Sequence, residues 1–280
     1  MKVLRDIVNR LRLRYRFCEL SVRNLISSQR VTGMEPVVVS LTSHCQRVEN
    51  VWATIESIAQ GRVRPYRLIL WLSEKDSNRS LGRKLKRLRQ RGLEVRYARD
   101  VGPHTKYFYS IDIALKNQIA LVTADDDVLY SPCWLANLLE GFNRSPRSIV
   151  CYRARWMLFD ETKKLRTYLD WPYVECGFSH PRVFLTGVSG VVYPTSFLKH
   201  LKDFGDGFLT TCLKADDVWL NYVAAKTHTP VRQLHEKAID FAILPGSQSV
   251  ALWDSNSIDG NNIQLANTYD EATLKFLYSA

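Results

Sequence analysis

No stretch of this 280-residue chain holds the roughly 18 consecutive apolar residues needed to cross a bilayer. A helical integral membrane protein is therefore not expected. The start of the chain also lacks the apolar h-region of a secretory signal, because Arg10, Arg12, Arg14 and Arg16 interrupt every candidate. The 6 cysteines, Cys18, Cys45, Cys133, Cys151, Cys176 and Cys212, form no CxxC pair. They read as reduced, mostly buried thiols rather than a disulfide scaffold. There is no internal repeat, no low-complexity tract, and no helix-turn-helix, zinc-finger or RNA-recognition pattern. These absences leave one globular domain with elaborations, expected in the cytoplasm or on the inner face of the cytoplasmic membrane.

What is present is ordinary in bulk, with 46% hydrophobic and 24% charged residues, but not in charge balance. A net charge of +11 points to an anionic partner: nucleotide, nucleic acid or membrane surface. Much of the excess lies at the start of the chain and between Arg79 and Arg99. Residues 1–33 read as a basic amphipathic addition to the main domain, with Leu4, Ile7, Val8, Leu11, Tyr15 and Cys18 at near-helical spacing. Such a helix can lie on anionic lipid through residues 1–30, the reading favoured here, or pack on the domain with a solvated basic face.

From Pro36 the pattern alternates. Val37 to Leu41, Arg67 to Leu72, Leu93 to Ala98 and Ile119 to Val122 read as buried strands. Helical patterns separate them: Val48 to Ile58, the basic Ser80 to Arg91, and a segment reaching Asn117. The alternation predicts an α/β fold with a doubly wound, mostly parallel sheet. Further on, a helix is expected from Trp134 to Phe142, a strand from Ser148 to Arg153, and a glycine turn entering a strand at Gly187 to Tyr193. An amphipathic helix should open at Asp216, and the rest, to Ala280, should mix a short strand with long loops.

The fourth strand runs straight into Asp125-Asp126-Asp127. Adjacent carboxylates repel and raise one another's pKa, and a hard divalent cation, Mn²⁺ or Mg²⁺, with substrate phosphates would relieve that. Ligands in open α/β sheets bind beyond the carboxyl ends of the strands, where this triplet falls. The alternative is a solvated Asp turn or helix cap before Pro132. Thr42 and Ser43 offer hydroxyls and backbone N–H groups after strand one, Glu74 and Asp100 stand where a base or ribose could be read, and Lys106 could offset phosphate charge. His44 and His104 are placed as donors to phosphate or sugar. Asp216 and Asp217 either cap a helix or supply a general base. Trp156, Tyr168, Trp171, Tyr173 and Phe178 form either an acceptor platform or ordinary core.

Together these residues resemble the GT-A class of nucleotide-sugar-dependent glycosyltransferases, especially bacterial family-two-like enzymes of surface-polysaccharide synthesis. The resemblance spans roughly Val37 to Arg232, and its most specific piece is Val122-Thr123-Ala124-Asp125-Asp126-Asp127 followed by Tyr130, Pro132 and Trp134-Leu135. It implies a GT-A, Rossmann-like catalytic domain over residues 34–280, with a nucleotide-binding part to about 130 and an acceptor part from 131. It implies that Asp125 and Asp126 meet the nucleotide and that Asp125 and Asp127 meet the metal, with His235 a candidate further ligand. Gly187 and Gly190 would line the donor-sugar pocket. Asp216 or Asp217 would be the base, Asp217 favoured as the second of the pair. The family's habits imply a UDP-sugar donor, a saccharide or lipid-linked acceptor, and inversion at the anomeric carbon. Three rivals remain. A metal-dependent nucleotidyltransferase or phosphohydrolase is disfavoured by the lack of glycine in Leu41-Thr42-Ser43-His44. A basic nucleic-acid binder lacks a supporting motif, so no nucleic-acid partner is expected. A catalytically dead, lectin-like relative would not need both acidic motifs.

Overall fold

The computed structural model describes residues 2–175, 177–244 and 260–280. The strands appear as β1 (Glu35–Thr42), β2 (Pro65–Ser73), β3 (Glu94–Ala98), β4 (Ala120–Thr123), β5 (Val128–Leu129), β6 (Ile149–Cys151), β7 (Ala154–Trp156), β8 (Val183–Leu185), β9 (Val191–Tyr193), β10 (Val231–Gln233) and β11 (Ala242–Ile243). The α-helices are α1 (Lys2–Ile26), α2 (Val51–Ala59), α3 (Arg83–Gln90), α4 (Thr105–Phe108), α5 (Ile111–Asn117), α6 (Trp134–Arg144), α7 (Thr195–Phe204), α8 (Phe208–Thr211), α9 (Asp216–Lys226), α10 (Gly260–Thr268) and α11 (Glu271–Ser279).

A 7-stranded sheet runs in the order β10-β6-β9-β4-β1-β2-β3. All its pairings are parallel except those of β9, which is antiparallel to β4 and β6. This is the α/β, Rossmann-like architecture expected from the alternating pattern. Strands covered on both faces need apolar side chains on both, and β1 meets this with Val38 on one face and Val37, Val39 and Leu41 on the other. The Val38 face packs against α4, α5, α7 and α9, through side chains such as Tyr107, Ile111, Phe197 and Leu220. The other packs against α1, α2, α3 and α6, through Leu20, Ile55, Leu88 and Leu138.

Helix α2 is buried along its whole length. It lies under α1, whose Phe17 meets the Trp52 ring edge-on at 5.0 Å, and Lys84 of α3 sits 3.5 Å over the same indole. Beneath them the fully buried Glu56 carboxylate takes a two-pronged ion pair from Arg91 at 2.8 and 3.0 Å, with Arg23 at 3.3 Å and Asn24 at 3.2 Å. The C-terminal half of α1 is thus packed on the domain, the arrangement offered above as the alternative to lipid contact.

Two further expectations need correcting. The tail beyond β11 contains helices α10 and α11 rather than long loops alone; its residues 245–259 lie outside the described residues. The apolar positions there follow no sustained helical spacing, so periodicity is faint. The helices form because Leu265 and Leu277 dock on the α9 side of the core and Asp270 caps α11 through the Thr273 N–H at 2.7 Å. Among the described cysteines Cys151 and Cys212 are buried, but Cys18 is exposed. No helix of the described residues is long and apolar enough to cross a membrane.

Candidate active site

The strand order reverses at β1 and β4, which sit side by side while their crossovers lead to opposite halves of the sheet. A crevice forms outside the carboxyl ends of strands at such a point. Here it is a cavity of about 600 Å³ whose wall includes Thr42, Ser43, His44, Arg47, Asp100, Lys106 and the whole Asp125–Asp127 triplet. A second cavity of about 240 Å³ shares Pro103, Lys106, Asp125, Arg153 and Val188 with it and is walled by Gly187, Asp216 and Asp217. A separate apolar cavity of about 240 Å³ between Met157, Tyr269 and Phe276 contains no carboxylate and does not adjoin the triplet.

The triplet is held rigidly by its neighbours. Ala124 N–H bonds to the Ser40 carbonyl at 3.0 Å, and the Tyr130 hydroxyl accepts from Asp125 N–H at 2.9 Å. Thr54 of α2 donates to the Asp126 carbonyl at 2.9 Å, and Leu244 N–H to that of Asp127 at 2.7 Å. The three side chains then diverge. Asp126 is buried and takes Ser43 Oγ at 2.6 Å and Arg47 at 2.9 Å, so it serves as a brace rather than a free ligand. Asp127 pairs with the other arm of Arg47 at 2.6 Å. Burial, and then repulsion from Asp125, still pushes its carboxyl up to about 6. Asp125 is the most accessible of the three and meets Lys106 Nζ at 3.1 Å.

Lys106 joins the two acidic motifs. Its ammonium, almost fully buried, lies 3.1 Å from Asp125 and 2.9 Å from Asp216. Burial draws its pKa down, but Asp125, Asp216 and Asp217 outweigh that and hold it well above its ordinary value. Asp217, in the first turn of α9, accepts from Gly187 N–H through Oδ1 at 2.7 Å. Its surroundings, chiefly burial and then the Asp216 charge, push its carboxyl up to about 8, although part of it still reaches the cavity. Gly187 approaches the site closely: a Cβ there would lie 3.0 Å from Asp217 Oδ1 and 3.1 Å from Lys106 Nζ, so any larger residue must displace one of them.

Several expected residues stand elsewhere. Glu74 is exposed on the turn after β2 and is not part of the cavity wall. Gly190, with φ of 103°, packs against the Trp134 indole, where a Cβ would come within 2.7 Å; it shapes the turn rather than lining the pocket. Trp134 Nε1–H fixes the same turn through the Ser189 carbonyl at 2.8 Å. His235 sits beside the Tyr152 ring at 5.7 Å, away from both cavity walls. His104 is a core residue: Nε2–H donates to the Cys212 carbonyl at 2.9 Å, and Nδ1 accepts from the Tyr107 hydroxyl at 2.7 Å. Its ring stacks on Phe208, and burial pushes its pKa down to about 4, so it offers no donor to a phosphate. Of the aromatic stretch, Trp171 is core, Tyr168 borders the smaller cavity and Tyr173 the larger.

Three cationic residues that the sequence pattern did not single out are Arg47, Arg153 and Arg155. Arg47 follows strand one, and its signal was the unbalanced charge of the triplet itself. Arg153 and Arg155 lie 5.3 and 4.7 Å from the Tyr173 ring and line the larger cavity with it.

Among the described residues no group of three or more His, Cys, Asp and Glu side chains is arranged to hold a metal alone. Mg²⁺ and Mn²⁺ bound with a nucleotide need less, commonly one or two carboxylates completed by phosphate oxygens and water. Asp125 and Asp127 fit that requirement: both carboxylates border the larger cavity, and the burial, and then the Asp125 charge, that raise the Asp127 carboxyl are what a cation would offset.

No protein-family model and no curated protein matches the chain. Solved structures do resemble it. A mannosyltransferase from Pyrobaculum calidifontis, solved in complex with GDP-Man and Mn²⁺, superposes with a TM-score of 0.53 at 12% identity, covering 94% of this chain and 74% of that one. The 4-diphosphocytidyl-2C-methyl-D-erythritol synthase of Anaerococcus prevotii has a TM-score of 0.47 at 9% identity, covering 82% of this chain and 98% of that one. TarS of S. aureus (residues 1–349) has a TM-score of 0.46 at 14% identity, covering 73% of this chain and 59% of that one. The likeness to the mannosyltransferase is one of fold, and this chain is a GT-A-like α/β protein.

Proposed function

We propose that the chain is a metal-dependent glycosyltransferase that moves a sugar from a nucleotide diphosphate donor to a hydroxyl of a saccharide or lipid-linked acceptor in the cytoplasm. The observation that carries this reading is Lys106, which binds the triplet and the α9 carboxylates into one site across two adjoining cavities. The larger cavity suits the nucleotide, with Thr42, Ser43 and Asp100 on its wall, and the smaller suits the sugar and acceptor.

Asp125 and Asp127 would hold the divalent cation, which would act as a Lewis acid on the leaving diphosphate. The Lys106 ammonium stands beside the same position as a fixed positive charge, so its field needs no rearrangement when the phosphate charge grows. Asp217 is assigned as the general base. Gly187 N–H occupies Oδ1, which assigns the acceptor proton to Oδ2. As the acceptor oxygen bonds to the anomeric carbon, the sugar–phosphate bond breaks with its electron pair going to the diphosphate, and Asp217 takes the hydroxyl proton. One such base is sufficient for inversion. Asp216, already paired with Lys106, positions that ammonium.

The alternative is a nucleotidyltransferase, and the observation favouring it is Arg47 in the turn after β1, at the triplet. The deciding experiment measures thermal stabilisation by UDP, GDP, CDP and ADP and by the corresponding triphosphates, with and without Mn²⁺, on wild type and Asp127→Asn. A nucleoside diphosphate at about a hundred times its dissociation constant should add about 2.7 kcal/mol in wild type, with Mn²⁺ required and the effect lost in Asp127→Asn. UDP is the expected nucleotide. Stabilisation by triphosphates alone, with pyrophosphate release on turnover, would favour the nucleotidyltransferase; no response to any nucleotide would reject both.

A further inference from the structure

Helix α1 is apolar on two opposite faces. The inner face, with Leu13, Phe17 and Leu20, packs on the domain, and Asn24 joins it beside Glu56. The outer face carries Val8, Leu11, Tyr15, Cys18, Val22 and Leu25, spaced three and four residues apart so that they form one continuous stripe. Two residues' offset turns a helix by about 200°, which puts this stripe on the side facing away from the domain. The side chains are exposed accordingly, Leu11 at 59%, Tyr15 at 73%, Val22 at 56% and Leu25 at 62%. A contiguous apolar stripe in water marks an interaction surface.

The charges on the same helix select its partner. α1 carries seven basic and two acidic residues, and the exposed Arg10, Arg12 and Arg14 flank the stripe. A second copy of the helix would bring arginines against arginines with few acidic partners. The one acidic side chain described on α1, Glu19, already takes Arg16 and Gln60 at 2.8 and 2.9 Å. An anionic bilayer instead accepts both features, apolar side chains below the headgroups and arginines at their level. The charges rule out a spanning role for the helix.

We infer that α1 is an interfacial anchor that lies flat on an anionic membrane surface through Leu11, Tyr15, Val22 and Leu25. Its inner face stays docked on α2, the helix whose Thr54 supports the Asp126 backbone. The anchor therefore holds the candidate active site at a fixed place relative to the lipid. This inference does not depend on the reaction assigned to that site.

The test is vesicle flotation of the full chain, using phosphatidylcholine alone and with roughly a third phosphatidylglycerol. Wild type should float only with the anionic vesicles and should be released by ~0.5 M salt, which shortens the range of the charges. The combined Leu11→Ser, Tyr15→Ser and Val22→Ser variant should stay in the soluble fraction with an unchanged melting temperature, since the replaced side chains are exposed. Arg10→Gln, Arg12→Gln and Arg14→Gln should each weaken partitioning by about fivefold. Failure of wild type to float at low salt, or flotation of the triple Ser variant, would overturn the inference. So would light scattering that shows a wild-type dimer, without vesicle binding, that the Ser variant dissociates; the stripe would then belong to a second copy.

Discussion

Asp217 combines two properties a base requires: part of it reaches a cavity, and its carboxyl is pushed up to about 8. Only the ionised form can accept a proton, so turnover should rise with pH. We expect kcat/KM, which reports the free enzyme, to climb at a pH well above the ordinary aspartate range, because burial and the Asp216 charge disfavour the ionised form. Asp217→Asn should lower kcat by about 10²–10⁴-fold while leaving nucleoside diphosphate binding intact. An ascending limb near pH 4 in wild type would remove Asp217 from the role. Gly187→Ala tests the same place from the backbone side. Its Cβ would press on Asp217 Oδ1 and Lys106 Nζ at 3.0 and 3.1 Å, so kcat should fall with little change in nucleotide affinity. Equal kcat in the Ala variant would show that the close approach does not matter. At this scale the sequence exposed the carboxylates well, because adjacent acidic residues at a strand end are conspicuous. It concealed their partners: Arg47 reaches the triplet from 79 and 80 residues away in the chain, and nothing local marks that meeting.

Among the elements, α2 is the one on which both the site and the N-terminal helix lean. Its Thr54 and Ser57 hydroxyls donate to the Asp126 carbonyl and accept from the Tyr130 N–H, at 2.9 and 3.0 Å. Its Glu56 holds Arg91, Arg23 and Asn24. Removing one partner of a buried ion pair leaves the other charge uncompensated, which costs about 3–5 kcal/mol. Glu56→Ala should therefore lower the urea midpoint by a corresponding amount and loosen α1, seen as faster amide exchange over residues 17–26. A loss below about 1 kcal/mol would mean that water reaches Arg91 in the variant. Helices with dense apolar periodicity, such as α2 and α6, were legible in sequence. α10 and α11 were not, because each is stabilised by a few contacts with α9 and the core rather than by an amphipathic face of its own.

For the molecule as a whole, an acidic centre held by burial gives an unusual pH dependence. Asp127 and Asp217 have folded-state pKa values raised to about 6 and about 8. The native state therefore binds protons that the unfolded chain, with aspartates near 4, has released. Their contribution is fully present below about pH 4 and is lost as pH rises through 6 and then 8. Asp270 acts in the opposite direction: hydrogen bonds from Thr273 and Lys226 hold it below its ordinary range, so its contribution is lost as pH falls below about 4. We expect the melting temperature without divalent cation to decline between about pH 6.5 and 8, above the range in which His104, neutral in the fold down to about 4, adds stability as pH rises. Asp217→Asn should flatten that decline. A melting temperature that rises over this interval would show that these carboxylates ionise normally in the fold.

The alternation of buried strands and helices, the basic excess and the acidic clusters are local properties, set by side-chain period and charge, and from them the α/β class and the core of the candidate site could be written down. Pairing across distance belongs to the tertiary structure alone. It made Asp126 a brace on Ser43 and Arg47, turned His104 into a core residue, and left Gly190 against Trp134. It also placed Lys106 between two carboxylates separated by 91 positions in the chain. The reason is physical: an ammonium or a carboxylate takes its pKa and its role from burial and from the charges around it, and only the folded chain decides which charges those are.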